Sequence, residues 1–394
     1  MLLRFGMTFR TPAAASAPDD ETILVLQGGG ALGAYQAGVY EAMCQTKGLH
    51  GPLNWVAGIS IGAINAALIA GNPLERRVPR LREFWDRVSS SQATPRYAPS
   101  TVGRDLLNDA SANHSLVFGV PGFFAPRVPP APFQPSGTPG AISFYDTEPL
   151  RRTLEELVDF KLLNSGGVRL SVGAVNVRTG NFAYFDTAHH HLDVRHVMAS
   201  GALPPGFAPV EIDGEHYWDG GIVSNTPLQY VLDQPGKKRR VVFQVDLFAA
   251  RGALPATLAE VTEREKDIRF SSRTRLNTTN ELDRQVIAKA AQRLLAKLPA
   301  SLRDDPDVRA LSKVRCEAAV DVVHLIYRSK HYEGQSKDYE FSRLSMNEHW
   351  DTGRADMSHT LHDPRWLNHP RRATGVHVFD LTSDSPSDRE QISP

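Results

Sequence analysis

The stretch from Leu53 to Gly71 places the strongest constraint on how this chain can fold. An apolar run of strand length ends at Gly58, and a run rich in Ala, Ile and Leu follows Gly62. The first run predicts a buried strand, and the second predicts a helix. A strand that leads directly into a helix needs a sharp turn, and Ser60 stands on that turn between the two glycines. The stretch therefore predicts a strand–turn–helix unit with a serine at its apex.

The residues around Ser60 match the G-x-S-x-G pattern of a nucleophile elbow. In this unit the serine has a strained backbone, so Gly58 and Gly62 must be small to avoid clashes. The N-terminus of the following helix points at the serine, and its partial positive charge favours negative charge that develops there. Ser60 is therefore a candidate nucleophile. The alternative, a loop serine that is merely flanked by glycines, remains open at this stage.

A glycine-rich loop follows the first predicted strand, Thr22 to Leu26, and precedes another predicted helix. Gly28, Gly30 and Gly33 fit the dinucleotide-binding pattern G-x-G-x-x-G. That pattern expects an acidic residue near the end of the next strand to hold the ribose. The next predicted strand carries no carboxylate and ends at the elbow. A nucleotide-binding oxidoreductase is therefore one hypothesis, but the loop lacks its expected acidic partner.

The same loop also has the composition of an oxyanion hole. Three consecutive glycines, Gly28, Gly29 and Gly30, leave backbone N–H groups without side chains around them, so they can approach a negatively charged oxygen closely. The elbow that follows in the sequence favours this interpretation. A tight packing turn with no chemical role is the remaining alternative.

Asp219, Gly220 and Gly221 form a second loop of the kind found at functional sites, at the end of a predicted hairpin. A serine needs a base to become a nucleophile, and histidine is the usual one. None of the candidate histidines lies in a strand-end loop with small neighbours. These histidines are His216, His324, His331, His349 and His377. Because an aspartate can serve as base when its surroundings tune its pKa, Asp219 is the candidate base.

Composition argues against several classes of function. The 394 residues carry a formal net charge of zero, so no overall field attracts nucleic acid. The two cysteines lie far apart, and neither C-x-x-C nor H-E-x-x-H occurs, so no metal or cofactor is expected. No apolar run is long enough to cross a bilayer. We expect a cytoplasmic protein, with peripheral contact to a membrane as an open alternative.

Strands alternate with helices along the chain, which predicts a mostly parallel sheet with helices on both faces. Residues 21–250 are predicted to form the catalytic domain, and residues 251–380 a mostly helical extension packed on its core. Residues 1–20 are interpreted as a disordered leader, with a targeting segment as the alternative. The chain from Pro364 is polar and expected to fray, with residues 381–394 as a disordered tail.

Residues 89–140 differ in character from the segments on either side. They are rich in Pro, Gly, Ser and aromatic residues, which predicts an irregular, lid-like insert. Their phenylalanines could contact acyl chains or a membrane surface, or they could pack on the core. The phenylalanines in question are Phe118, Phe123, Phe124 and Phe133.

The chain resembles the patatin-like phospholipase family through three motifs in order. The loop from Gly28 to Gly33 resembles the oxyanion-hole loop of this family, and Gly58 to Gly62 resembles its nucleophile elbow. Asp219-Gly220-Gly221 resembles its Asp-Gly-Gly/Ala motif, and Ala199-Ser200 is similar to another patatin-type segment. The resemblance covers roughly Thr22 to Asp246. The last third of the chain is similar to an extension found in some bacterial members.

The resemblance implies a patatin-like three-layer α/β/α sandwich with a mostly parallel central sheet and a C-terminal helical extension. It also implies a lipid acyl hydrolase, in which Ser60 attacks an ester carbonyl and Asp219 accepts its proton. The amides of the Gly28–Gly30 segment would hold the oxyanion while an acyl-enzyme forms and is hydrolysed. Further glycines support the motifs. They are Gly33, Gly58, Gly62, Gly220 and Gly221. The implied partner is a lipid or acyl-ester substrate, with no metal, cofactor or nucleic acid.

One residue departs from the family pattern. Leu32 stands where the family usually carries Arg or Lys, and a cation there would shape the oxyanion site. Its loss leaves neutral glycerides and other esters open as substrates beside phospholipids. A catalytically silent protein that binds lipid or a membrane surface is the alternative to an enzyme. The sequence does not predict an oligomeric state.

Overall fold

The computed structural model describes residues 20–46, 51–89, 101–234, 236, 238–299, 302, 305–311, 319–330, 332–370 and 375–381. Most of the predicted leader and of the predicted tail lies outside these ranges. The helices are α1 (Gly33–Gln45), α2 (Ile61–Ala70), α3 (Leu74–Val88), α4 (Thr101–Phe118), α5 (Glu148–Leu157), α6 (Phe160–Leu163), α7 (Val194–Ser200), α8 (Leu228–Asp233), α9 (Leu258–Phe270), α10 (Thr274–Leu295), α11 (Pro306–Leu311), α12 (Arg343–His362) and α13 (Pro364–Leu367). The strands are β1 (Glu21–Leu26), β2 (Leu53–Gly58), β3 (Ala125–Pro126), β4 (Tyr145–Asp146), β5 (Arg169–Asn176), β6 (Phe182–Asp186), β7 (Val210–Ile212), β8 (Glu215–Asp219), β9 (Arg240–Asp246), β10 (Val320–Ile326) and β11 (Val376–Asp380).

A central sheet organises the described part of the chain. Its strands follow the order β11-β10-β9-β1-β2-β5-β8-β7, and β6 also pairs with β5. The run from β11 to β5 is parallel throughout. The strands β6, β7 and β8 pair antiparallel. The sheet is therefore mostly parallel, as the sequence predicts.

Both faces of the sheet are covered by helices, because successive residues of a strand point to opposite faces. On β1, Leu24 belongs to one buried cluster, together with side chains from α1, α2 and α12. The neighbouring Ile23 and Val25 belong to a second cluster, which includes Leu228 and Val231 of α8. The molecule thus has the three layers of an α/β/α sandwich, and the predicted fold class is confirmed.

The C-terminal region contributes more than a helical extension. Its strands β10 and β11 continue the central sheet beyond β9. The expectation that the chain frays after Pro364 is wrong, since Trp366 is fully buried and Val376–Asp380 forms a strand. The sequence signal is weak there because β11 has only five residues, and it pairs with a strand far away along the chain.

Helix α12 packs against α1 at very short range. A Cβ on Gly38 would overlap the carbonyl oxygen of Trp350, and a Cβ on Gly353 would overlap that of Tyr35. Two glycines therefore let the backbones of these helices touch, one from each end of the chain. This contact and the shared sheet join the C-terminal region to the predicted catalytic domain.

The described part of the insert is more ordered than predicted, whereas residues 90–100 lie outside the described ranges. The 18-residue helix α4 occupies residues 101–118. The four phenylalanines divide between the two alternatives: Phe123 and Phe124 are buried in the core, whereas Phe118 and Phe133 are exposed. Their residue types are identical, so only the packing of the surrounding chain distinguishes them. Among the described helices, none is both long and apolar enough to cross a membrane.

Candidate active site

Ser60 lies on a strained turn between β2 and α2. Its backbone has φ 55° and ψ −124°, a region that residues with a Cβ rarely adopt. The turn is compact on both sides: a Cβ on Gly58 would overlap the carbonyl of Gly62, and a Cβ on Gly62 would overlap the carbonyl of Leu26. The sequence thus forces the elbow through two glycines, and the strain presents the serine at the N-terminus of α2.

Ser200, the last residue of α7, stabilises the turn through two hydrogen bonds. Its hydroxyl accepts a hydrogen bond from the Ser60 amide at 3.0 Å and donates one to the carbonyl of Gly173 at 2.7 Å. Ser200 is fully buried. It therefore joins the elbow to β5 through one side chain. The sequence places Ser200 in a patatin-type segment but gives no sign of this contact.

Asp219 ends β8, next to the elbow. Its side chain is buried, and one carboxylate oxygen accepts the amide of Gly221 at 2.7 Å. Burial raises the pKa of Asp219 to about 7, although the neighbouring Ser60 side chain and the Gly221 amide act in the opposite direction. The structure thus brings two of the predicted site residues together and surrounds the carboxyl with protein.

Two of the candidate histidines have carboxylate partners elsewhere, and His377 lies on β11. His324 lies 2.5 Å from Asp246, and His349 lies 2.9 Å from Glu333. His216 is exposed on β8, and His331 lies outside the described residues. In the ranges that the structure describes, no histidine hydrogen-bonds to Ser60 or Asp219. Asp219 is thus the titratable side chain that lies beside Ser60.

The glycine loop approaches the elbow from β1. A Cβ on Gly28 would lie 3.0 Å from the Cβ of Ser60, so this glycine keeps the loop against the serine. The Gly28 amide donates to the carbonyl of Asn225 at 3.2 Å, and the Asn225 side chain donates back to the carbonyl of Gly28 at 3.0 Å. The amide of Gly28 is therefore already used. The sequence expectation that three glycine amides hold an oxyanion needs correction at this position.

The next amides along the loop differ in their partners. Ala31 donates to the carbonyl of Asp338 at 2.7 Å. The amides of Gly29 and Gly30 have no acceptor among the described residues. Gly30 has φ 53°, and a Cβ there would overlap the carbonyl oxygen of Asp338. Leu32 is fully buried in the core, so the position that usually carries a cation adds apolar packing here.

A buried lysine fixes the segment that carries Asp338. The ammonium of Lys337 donates to Glu263 at 3.1 Å, to Asp267 at 2.8 Å and to Ser329 at 2.7 Å. The side chain of Lys337 is only 1 % exposed, so these bonds replace its hydration. Helix α9, which carries both carboxylates, is thereby tied to the segment that touches the glycine loop.

The end of α9 also reaches the glycine loop directly. The carbonyl of Phe270 accepts hydrogen bonds from the side chains of Gln27 and Asn225, each at 3.0 Å. Gln27 in turn accepts the amides of Leu247 and Phe248 at the end of β9. Sequence reasoning missed this set of contacts, because residues from both ends of the chain form them. The only sequence signal is the abundance of charge in α9.

No group of three or more His, Cys, Asp or Glu that could hold a metal ion occurs within the described ranges. The titratable group beside Ser60 is the single carboxyl of Asp219. The arrangement of a strained serine, a neighbouring buried carboxyl and a loop with open amides can support acyl transfer without a metal ligand set.

The turn at Ser60, which follows a parallel strand and lies beside a buried carboxyl, has the geometry of the nucleophile elbow found in α/β proteins. A family model described as patatin-like phospholipase matches residues 24–232, more than half of the chain. A second model, described as patatin phospholipase, matches residues 268–373. The chain therefore belongs to the patatin-like phospholipase family, which implies a lipid acyl hydrolase that acts on lipid substrates. This membership favours the oxyanion interpretation of the glycine loop over the dinucleotide one.

Solved structures with similarity to this chain include those of VipD and ExoU. VipD from Legionella pneumophila is 14% identical with a TM-score of 0.36, and the match covers 88% of this chain and 67% of VipD. The type III effector protein ExoU is 13% identical with a TM-score of 0.34, and the match covers 89% of this chain and 54% of ExoU. This chain thus spans about half the length of ExoU. The search of curated proteins gives no match.

Proposed function

We propose that this chain is a serine lipid acyl hydrolase that works through a dyad of Ser60 and Asp219. The observation that carries the proposal is the strained Ser60 beside the buried carboxyl of Asp219. A base works best when its pKa lies close to the working pH, and burial holds the pKa of Asp219 at about 7. The dyad needs no histidine, because the carboxyl itself reaches the serine.

In the proposed mechanism, Oγ of Ser60 forms a bond to the ester carbonyl carbon while its proton passes to Asp219. The tetrahedral intermediate collapses, the ester C–O bond breaks, and the leaving alkoxide takes the proton from Asp219. A water molecule then attacks the acyl-enzyme and gives its proton to Asp219. The second intermediate releases a fatty acid, and Ser60 recovers its proton from Asp219.

The negative oxygen of each intermediate needs hydrogen-bond donors. We assign this role to the amides of Gly29 and Gly30, which have no acceptor among the described residues. The N-terminus of α2 adds a partial positive charge beside Ser60. Gly28 contributes by its lack of a side chain, since its amide is bonded to Asn225.

The proposed substrates are carboxylic esters of lipids: phospholipids, lysophospholipids or neutral glycerides. The buried Leu32 brings no cation to the loop, so the loop itself offers no charge for a phosphate head group. We retain the proposal that residues 21–250 carry the catalytic groups and that residues 251–380 extend this domain. A cytoplasmic location with peripheral contact to a membrane stays a prediction.

The test is labelling with a fluorophosphonate probe, followed by mass spectrometry of the modified peptide. We expect an adduct on Ser60 in the wild type, none in Ser60→Ala, and little in Asp219→Asn. Asp213→Asn is the matched control, because Asp213 is an exposed hairpin residue that should not affect labelling. Ester hydrolysis that survives in either folded dyad variant contradicts the dyad. A folded wild type with neither labelling nor hydrolysis favours the silent lipid-binding alternative.

A further inference from the structure

Exposed apolar side chains are frequent in residues 118–144 and occur again in the loop that leads to Asp219. Phe118 is 68% exposed, Phe133 77% and Phe144 56%. Val128 and Leu203 are exposed as well. We call these five residues the apolar rim. A soluble surface rarely concentrates exposed phenylalanines in so short a stretch of chain, and such patches mark interaction sites.

The apolar rim is connected to the dyad by backbone hydrogen bonds. The amide of Asp219 donates to the carbonyl of Ala202 at 3.0 Å, and Leu203 follows directly in the chain. The amide of Phe144 donates to the carbonyl of Pro205 at 3.1 Å, two residues further on. The loop from Ala202 to Pro205 therefore carries Leu203 and is hydrogen-bonded to both Phe144 and Asp219.

Aromatic rings from the same part of the chain pack together in a cluster. The ring of Phe124 lies 4.8 Å from that of Tyr145 and 5.4 Å from that of Phe207. The hydroxyl of Tyr145 donates to the carbonyl of Leu116 at 2.7 Å, which joins the end of α4 to this aromatic cluster. Phe118 and Phe144 thus lie within two residues of backbone that this cluster holds in place.

The charge of this surface fits a lipid interface. Residues 119–145 contain one charged residue, Arg127. Its guanidinium donates to the hydroxyl of Ser143 at 2.9 Å, and it has no carboxylate partner among the described residues. A nearly uncharged apolar surface can enter the interfacial region of a bilayer at little desolvation cost. A lone arginine in that surface can pair with lipid phosphates.

We propose that the apolar rim docks this protein onto a phospholipid surface, with Arg127 at the level of the phosphates. The proposal rests on the proposed function, because a lipid acyl hydrolase must take its substrate from such a surface. It names the surface that makes the contact and leaves the dyad chemistry unchanged. A second copy of this chain is the competing occupant, and the experiment distinguishes the two.

The experiment measures sedimentation with phosphatidylcholine vesicles in a Ser60→Ala background, so that hydrolysis cannot alter the vesicles. The test variant combines Phe118→Ser, Phe133→Ser and Phe144→Ser. The matched control combines Leu258→Ser, Val286→Ser and Ile287→Ser, which are equally exposed apolar residues on α9 and α10. We expect the test variant to lose about tenfold or more in vesicle partitioning, and the control to lose little. Arg127→Gln should give a smaller loss.

Several outcomes overturn the proposal. The first is a wild type that does not sediment with vesicles, and the second is a test variant that still binds them. The third is a wild-type dimer that the test variant converts to monomer without loss of vesicle binding, which identifies the rim as a contact between copies. With Ser60 restored, hydrolysis of a soluble short-chain ester by the test variant should equal that of the wild type. If neither hydrolyses the soluble ester, the proposed function fails, whatever the vesicle result.

Discussion

The carbonyl of Asp338 accepts a hydrogen bond from the amide of Ala31 at 2.7 Å. A residue of the last third of the chain is thus bonded to the glycine loop, whose neighbouring amides of Gly29 and Gly30 we assign to the oxyanion. The loop is short and rich in glycine, so its backbone has many accessible conformations before it is held. The contact with Asp338 selects one of them.

Lys337→Met tests whether this contact depends on the buried ammonium. The variant leaves Glu263 and Asp267 without their shared cation, so we expect it to lose about 2–3 kcal/mol of unfolding free energy. We also expect lower kcat with KM nearly unchanged, because the loop loses its support and not a substrate contact. Denaturant unfolding and ester kinetics measure the two effects. Lys161→Met, at an exposed position, is the control and should change neither.

Gly30→Ala is a second way to displace the glycine loop. The new Cβ would meet the carbonyl oxygen of Asp338, and the backbone at φ 53° already disfavours alanine. Gly137→Ala is the matched control, since Gly137 has φ 84° and nothing within 4 Å of its added Cβ. We expect the control to cost about 1 kcal/mol of stability and leave activity intact. Equal activity in both variants would remove the loop from the proposed mechanism.

Ser200→Ala should lower the rate of acylation without removing any catalytic group. The variant takes away the acceptor of the Ser60 amide and the donor to Gly173, so the strained turn loses its support. We expect kcat and fluorophosphonate labelling to fall by about tenfold to a hundredfold. Ser115→Ala is the control, because that serine is also fully buried but bonds to the carbonyl of Ser111 on α4. A normal labelling rate in Ser200→Ala would contradict a positioning role.

The pKa of Asp219 predicts the pH dependence of activity. The base accepts a proton only when ionised, so kcat/KM for a soluble ester should rise with pH through about 7 and level off above it. A pH–rate profile of the wild type measures this. A profile that is flat between pH 5 and 9 would mean that Asp219 does not titrate as proposed.

The same pKa predicts a pH-dependent stability. The pKa of Asp219 is raised in the folded state, so the folded chain binds the proton more tightly than the unfolded chain. The wild type should therefore lose stability as pH rises from about 4 to about 7 and stay constant above that, where the buried carboxyl is charged. Asp219→Asn lacks this charge, so its Tm relative to wild type should be higher at pH 8 than at pH 5. A difference in Tm that does not vary with pH would contradict the raised pKa.

The central residues of the candidate site follow from local sequence. Ser60 follows β2 and Asp219 ends β8, and both residues have glycines beside them. Their approach in space depends on the antiparallel pairing of β8 with β5, which local sequence does not give. The contacts of Asp338 and Lys337 could not be predicted, because their partners lie far away along the chain and depend on how α9 packs. For the same reason Phe123 and Phe118 look alike in sequence, although one is in the core and the other is exposed.

The fold class was predictable from the alternation of strands and helices. The role of the C-terminal region was not, since β11 is short and its burial depends on pairing with β10. The hydrogen bond of the Gly28 amide could not be predicted either, because its acceptor is the backbone carbonyl of Asn225. Backbone-to-backbone contacts across long separations leave no residue-type signal.

The position of β9 between β1 and β10 has a consequence for synthesis on the ribosome. Ser60 and Asp219 are translated first, but one edge of β9 stays unpaired until the Val320–Ile326 segment has been translated, and the Ala31 amide of the glycine loop has no acceptor until Asp338 follows. We expect the nascent chain to carry both dyad residues yet remain unable to hydrolyse esters. The order of synthesis would then delay lipid hydrolysis until translation has passed the residues that complete the sheet.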